Sequence, residues 1–189
     1  MYRSMMIAVV TGLWAASVLA HGQDSYYPSR DGLSWTYSNG ETQVLSGPRD
    51  VAGREVMVLT HYLDGNPISE DYLDFTEHGV YSLGTVAGGQ FLRYDPPLIV
   101  YSGERLQVGQ EWKSTARVDG FEITLAAEVV GVRGVQTEAG RFNALQVRQQ
   151  TITSTGAQTI LDLFFVPTVG VVRFVTQDGT VIDLIEKNF

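Results

Sequence analysis

The chain has 189 residues, 44% of them hydrophobic, with 20 Gly, no Cys and a formal net charge of -8. That length supplies the core of one domain, and the missing cysteine removes disulfides, thiolate metal sites and cysteine nucleophiles. An acidic balance disfavours nucleic acid and anionic membrane surfaces as partners, because both reward clustered Lys and Arg.

The first residues, "MYRSMMIAVVTGLWAASVLAHGQDS", combine a basic start at Arg3, an apolar stretch from Met5 to Ala20 and a small-residue end at Val18-Leu19-Ala20. This predicts a cleaved signal peptide over residues 1–22, with cleavage after Ala20 or Gly22. The apolar stretch is short for a membrane-spanning helix, so no membrane span is expected after its removal. The expected compartment is periplasmic or extracellular. Lipidation of the new N-terminus is not expected, because it needs a cysteine.

From residue 23 onward the pattern is alternation punctuated by turn dipeptides, not helical periodicity. Asp31-Gly32, Asn39-Gly40, Asp64-Gly65, Asp119-Gly120 and Asp178-Gly179 each suit the positive φ of tight turns. "REVMVLTHYL" (54–63) is apolar on both sides and therefore needs cover on both. "FEITLAAEVV" (121–130) is polarised: Phe121, Ile123, Leu125, Ala127 and Val129 face one way, Glu122, Thr124 and Glu128 the other. "DLFFVPTVGVVRF" (162–174) is almost wholly apolar, and Pro167 with Gly170 divides it into two strands joined by a turn. These features predict an all-β fold with little or no helix: a single curved antiparallel sheet or half-barrel, residues 23–189 forming one domain.

An internal repeat organises that domain. Gly32 and Trp35 match Gly109 and Trp112 at the same spacing, Gly53-Arg54 matches Gly140-Arg141, and Gly79 matches Gly170. The order predicts two pseudo-repeats, about 26–84 and 98–189, with "GTVAGGQFLRYDPP" (84–97) as a Gly/Pro-rich connection. The longer second interval leaves room for an extra hairpin in that copy.

Three segments of the second copy carry a resemblance: "PPLIVYSGERLQVGQEW" (96–112), "VQTEAGRFNALQV" (135–147) and "LFFVPTVGVVRF" (163–174). Together they resemble a family of exported bacterial β-sheet proteins of uncharacterised function. That family has a Pro-Leu lead, a Gly-x-x-Trp strand start, an Ala-Gly-x-Phe-x-Ala segment and an aromatic strand closed by Pro-x-Val-Gly-x-Val-Arg. Glu138 stands where the family usually has proline, and Phe165 where it has Trp or Tyr. The resemblance implies a curved antiparallel sheet like the half-barrel of periplasmic lipoprotein carriers, and it implies no catalytic residue.

The residues themselves offer little chemistry. His61 and His78 are not in a metal-binding spacing, so no metal or other cofactor is expected. There is no nucleophile elbow, phosphate loop or dinucleotide fingerprint. Glu70, Asp71, Asp74 and Glu77 form an acidic cluster, but Asp71 and Asp74 fall on opposite faces of a strand, which fits a solvated hairpin edge. An enzyme would be favoured only if His61 stood in a cleft beside a carboxylate such as Asp74.

Two aromatic sets are the candidate ligand-binding residues: Trp35, Tyr37 and Trp112, which open equivalent strands, and Phe142, Phe164 and Phe165 in the second copy. A curved sheet without helices to fill it leaves an apolar hollow. The expected function is therefore non-enzymatic binding of a hydrophobic small molecule or acyl chain. The alternative is a structural or interaction module whose apolar face meets a partner protein of the cell envelope.

Overall fold

The computed structural model describes residues 25–189; the expected signal peptide, residues 1–22, lies outside the described residues. Twelve strands follow in order: β1 Ser34–Tyr37, β2 Glu41–Val51, β3 Arg54–Leu63, β4 Asn66–Thr76, β5 Gly79–Ala87, β6 Gln90–Ser102, β7 Glu111–Val118, β8 Phe121–Thr137, β9 Gly140–Thr153, β10 Gln158–Val166, β11 Gly170–Thr176 and β12 Val181–Lys187. The described residues contain no helix. Each strand is antiparallel to its neighbours in sequence, and the sheet closes on itself as a barrel.

Closure corrects the expectation of an open curved sheet or half-barrel. β1 ladders with β12 through Trp35↔Lys187, Thr36↔Glu186 and Tyr37↔Leu184. Asn188 fastens the same seam: its Oδ1 accepts the Ser34 N–H at 2.9 Å and its Nδ2 donates to Gly32 O at 2.8 Å. Alternation along a strand reports which face is buried; it carries no signal for two edges about 150 positions apart meeting. A second seam, between β6 and β7, has one laddered pair, Asp95↔Arg117. There Ser114 Oγ takes the Ile99 N–H at 2.9 Å and Trp112 Nε1 donates to Ile99 O at 3.2 Å, so side chains satisfy backbone groups that the ladder leaves open.

The hairpin turns follow the dipeptides. Asp64-Gly65 and Asp119-Gly120 both have φ positive at each central residue, the backbone of a turn whose twist matches the strands it joins. The polarised strand also behaves as its pattern predicts. Ile123 and Leu125 face the barrel interior and Ala127 and Val129 are buried, while Glu122 and Glu128 are exposed. The exterior of β7–β9 carries Glu111, Lys113, Arg117 and Arg148, all exposed. Apolar inside and charged outside is the reverse of a membrane barrel wall. No helix among the described residues is long and apolar enough to cross a membrane.

Strands that are apolar on both sides obtain their outer cover from long hairpins that bend. β2 and β3 shift register between Ser46 and Arg49, and beyond that point Val51 and Val56 cluster with Val58, Tyr72, Leu83 and Val86. β8 and β9 shift between Val129 and Gly131. On β9 the buried phase then changes, from Val147 with Arg148 exposed to Ala144 with Asn143 exposed. The tip of this hairpin, with Val135, Phe142 and Ala144, packs in one cluster with Phe164, Val172 and Leu184, and Arg173 Nη2 donates to Gln136 O at 3.1 Å.

Trp35 and Trp112 stand in β1 and β7, Gly53 precedes β3 and Gly140 opens β9, and Gly79 and Gly170 open β5 and β11. The longer interval in the second half is absorbed by longer β7 and β8, not by an extra hairpin. Residues 84–97 are likewise not a free connection. They complete β5, turn at Gly88-Gly89 and form the first part of β6. Pro96 and Pro97 are accommodated because β6 leaves the regular ladder there, between Arg93↔Gly84 and Leu98↔Ser82, where no amide donor is required of them.

Candidate functional site

The barrel has two unlike ends. The lower end carries the β10–β11 turn, the β6–β7 loop and the segment that precedes β1. Tyr27 in that segment is buried, stacks on Tyr101 at 5.3 Å between ring centroids and lies 5.7 Å from Phe165. Its hydroxyl donates to Gly103 O at 3.0 Å, and Thr168 N–H donates to Tyr26 O at 3.0 Å. Burial and the neighbouring tyrosines push the Tyr27 hydroxyl well above its ordinary range, so it remains a neutral donor. Tyr27 and its neighbours thus plug the bottom of the barrel.

Above the plug a cavity of about 400 Å³ remains within the lumen, its wall contributed by strands from both halves of the chain. Twelve inward-facing strand surfaces enclose more space than their side chains fill, which is the expected behaviour as strand number rises. Leu45, Leu59, Leu73, Phe75 and Leu125 line its middle. Gln43, Asp71, Tyr94 and Thr151 line its upper part, toward the β1–β2 and β3–β4 turns.

At that upper end His61 lies between two carboxylates. Its Nδ1 is 2.7 Å from Glu41 Oε1 and its Nε2 is 3.0 Å from Asp71 Oδ2. Burial alone would hold the imidazole neutral, but hydrogen bonds to Asp71 and Glu41, with their charges, outweigh it and raise the pKa to about 9. The His61 hydrogen bond in turn holds the Glu41 carboxyl below its ordinary range, against its partial burial. At neutral pH the group is one imidazolium between two carboxylates, with a net charge of one negative. Both ring nitrogens are occupied, so His61 has no free nitrogen to take a proton from a nucleophile. The ring also separates the two carboxylates, and no group of three His, Asp or Glu side chains among the described residues is arranged to hold a metal ion.

Of the six aromatic residues singled out from sequence, Trp35, Tyr37 and Phe165 line the cavity. Trp35 Nε1 donates to Val169 O at 2.6 Å and Tyr37 Oη to Val171 O at 2.9 Å, which anchors both to β11 and its preceding turn. Phe165 is 1% exposed and meets Tyr26, Tyr27 and Tyr101. Trp112 is buried too, but it serves the β6–β7 seam and borders a groove on the outside with Glu111, Lys113 and Arg148. Phe142 and Phe164 sit under the folded β8–β9 tip, away from the lumen.

Sequence reasoning missed Glu41, Gln43 and Asp71. Asp71 and Asp74 do not share a site, as their odd spacing requires, yet Asp71 is the member that turns inward. The signal available was parity: Asp71, Leu73 and Phe75 form one face, so an acidic residue shares a face with the core.

No protein-family model matches the chain, and no curated protein matches it in sequence. Two solved structures share its fold. One is a candidate lipoprotein from Parabacteroides distasonis, 10% identical, with a TM-score of 0.50 over 87% of this chain and 99% of that one. The other is a candidate exported protein with a YmcC-like fold from Bacteroides fragilis, 11% identical, with a TM-score of 0.50 over 88% of this chain and 100% of that one. At these identities the likeness is one of architecture.

Proposed function

We propose that this is an exported, non-enzymatic protein that binds an apolar small molecule in the lumen of its barrel. The observation that supports this most is the cavity of about 400 Å³, which lies within the range of small-molecule sites and is walled mainly by Leu, Val and aromatic side chains. Trp35, Tyr37 and Phe165 supply its rigid aromatic wall. The N-terminal leader pattern and the names borne by both fold neighbours favour export. His61 does lie beside carboxylates, the arrangement that would favour an enzyme, but its two nitrogens are committed to them and no nucleophile is joined to it. The matched positions of the repeat favour two six-strand halves as the origin of the barrel.

Native mass spectrometry of the protein, purified without detergent, tests the reading. A bound apolar species that leaves on organic extraction is expected. An apo mass together with no uptake of any offered apolar molecule would refute it.

A further inference from the structure

The wall of the lumen is not uniformly apolar, and the chemistry of its exceptions restricts what can bind. Asp71 is the one charged residue among the described residues that line the cavity. Its Oδ2 is engaged by His61 Nε2, while its Oδ1 accepts no hydrogen bond from any described residue. Gln43, on the adjacent stretch of wall, uses one of its two amide N–H groups on Glu41 Oε1 at 2.8 Å and keeps its carbonyl oxygen. Tyr94, also on the wall, has a hydroxyl raised above its ordinary range by burial and by the Asp71 charge, so it stays protonated.

We propose that the upper lumen is a head-group subsite in which Asp71 Oδ1 and Gln43 Oε1 receive the hydrogen-bond-donating, preferentially cationic, end of an otherwise apolar ligand. This rests on the lumen-binding reading above and narrows it.

Asp71 Oδ1 and Gln43 Oε1 are unengaged acceptors at this end, beside the Tyr94 and Thr151 hydroxyls, which can donate as well as accept; among the described residues no Lys or Arg lines the cavity. Glu41, His61 and Asp71 together leave one net negative charge beside them. A ligand carboxylate placed there would lose its hydration, face Asp71 and gain no cationic partner. An alkylammonium keeps its charge at neutral pH and can donate to both oxygens; an alcohol can donate once. A partly buried acceptor set of this kind discriminates between heads, because the wrong head leaves polar groups unpaired on both sides, and solvent at the 35% exposed Asp71 moderates the effect.

Size sets a second limit. At about 30 Å³ per water-sized group, the cavity holds on the order of a dozen heavy atoms, a single medium-length chain and its head. The aromatic plug at Tyr27 and Phe165 suits the chain end. Glu41 and His61, 22% and 18% exposed in their side chains, mark the solvent-facing end. The head would therefore stop near the mouth and the tail would run down toward the plug.

The test uses the unaltered mature protein and the neutral dye N-phenyl-1-naphthylamine, displaced by dodecylamine, dodecanol or dodecanoate below their micelle concentrations at near-neutral pH. Dodecylamine is expected to displace the dye at a concentration at least tenfold lower than dodecanoate, with dodecanol between them. Asp71→Asn is expected to reduce the amine-over-carboxylate preference to about threefold or less. If the dye binds and dodecanoate competes as well as dodecylamine, the head-group subsite is overturned while lumen binding stands. Persistence of the tenfold preference in a folded Asp71→Asn protein would also overturn it. If neither dye nor any of the three binds, the lumen reading itself fails. The comparison of three probes on the unaltered chain keeps the test independent of how the variant folds.

Discussion

The imidazolium of His61 makes stability depend on pH in a window set by its own titration. In the folded protein its pKa is about 9, against 6.5 for an ordinary histidine. Between those values the folded state holds a proton that the unfolded chain releases, so stability falls as pH rises through the window. The contribution is complete below about pH 6.5 and gone above about pH 9 to 10. The difference between the two values corresponds to ~3.5 kcal/mol at ~1.4 kcal/mol per pH unit. Solvent reaches the Asp71 side chain, 35% exposed, which reduces the expected figure to about 2 kcal/mol. That is a large share of an ordinary domain stability of about 5–15 kcal/mol. Urea unfolding of wild type and His61→Gln at a series of pH values from 6 to 10 measures it. The wild type should lose about 2 kcal/mol more than the variant across the window. Parallel stability profiles for the two proteins would refute the assignment of His61 as a cation held by Glu41 and Asp71. Glu41 predicts the opposite trend on the acid side, because its contribution is lost as pH falls through its lowered folded pKa.

Phe165→Ala removes a 1% exposed ring from the junction of plug and cavity and should cost about 3–5 kcal/mol, read as a fall in the urea midpoint. Gly79→Ala should cost about 2–4 kcal/mol. Its φ is 128° and an added Cβ would press into the Tyr101 carbonyl oxygen, so both backbone strain and a clash oppose it. Trp35→Phe leaves the Val169 carbonyl without its indole donor and should lower stability by about 1–3 kcal/mol, measured by thermal or urea unfolding.

How much of this was legible in the sequence depended on whether the signal was local. Asp64-Gly65 and Asp119-Gly120 encode their turns directly, because positive φ at two successive positions selects those residue types. Likewise, the polarity of residues 121–130 stated which side of β8 is core, and Pro167 with Gly170 stated where the apolar run divides. Closure was not legible. The Trp35↔Lys187 edge joins positions at opposite ends of the chain, and the β6–β7 seam uses Ser114 and Trp112 side chains instead of a regular ladder.

The aromatic candidates divided for a related reason. Phe164 and Phe165 are adjacent on one strand and so point to opposite faces, but only the β8–β9 tip, folded across β11 and β12, explains why the outward one is covered too. The polar end of the lumen was hidden differently. Glu41, His61 and Asp71 come from three strands and meet through register, Gln43↔His61 and Leu59↔Asp71 among the pairs, which no single-strand pattern contains.

The central claim is that the lumen is an accessible binding site, and filling it should abolish binding without unfolding the protein. Titration of N-phenyl-1-naphthylamine into wild type and Leu125→Trp tests this, since Leu125 lines the middle of the cavity and a tryptophan there would occupy much of its volume. Saturable fluorescence enhancement in wild type, weakened by at least about tenfold in a folded Leu125→Trp protein, is the expected result. Equal binding by both proteins, or none by the wild type, would contradict it.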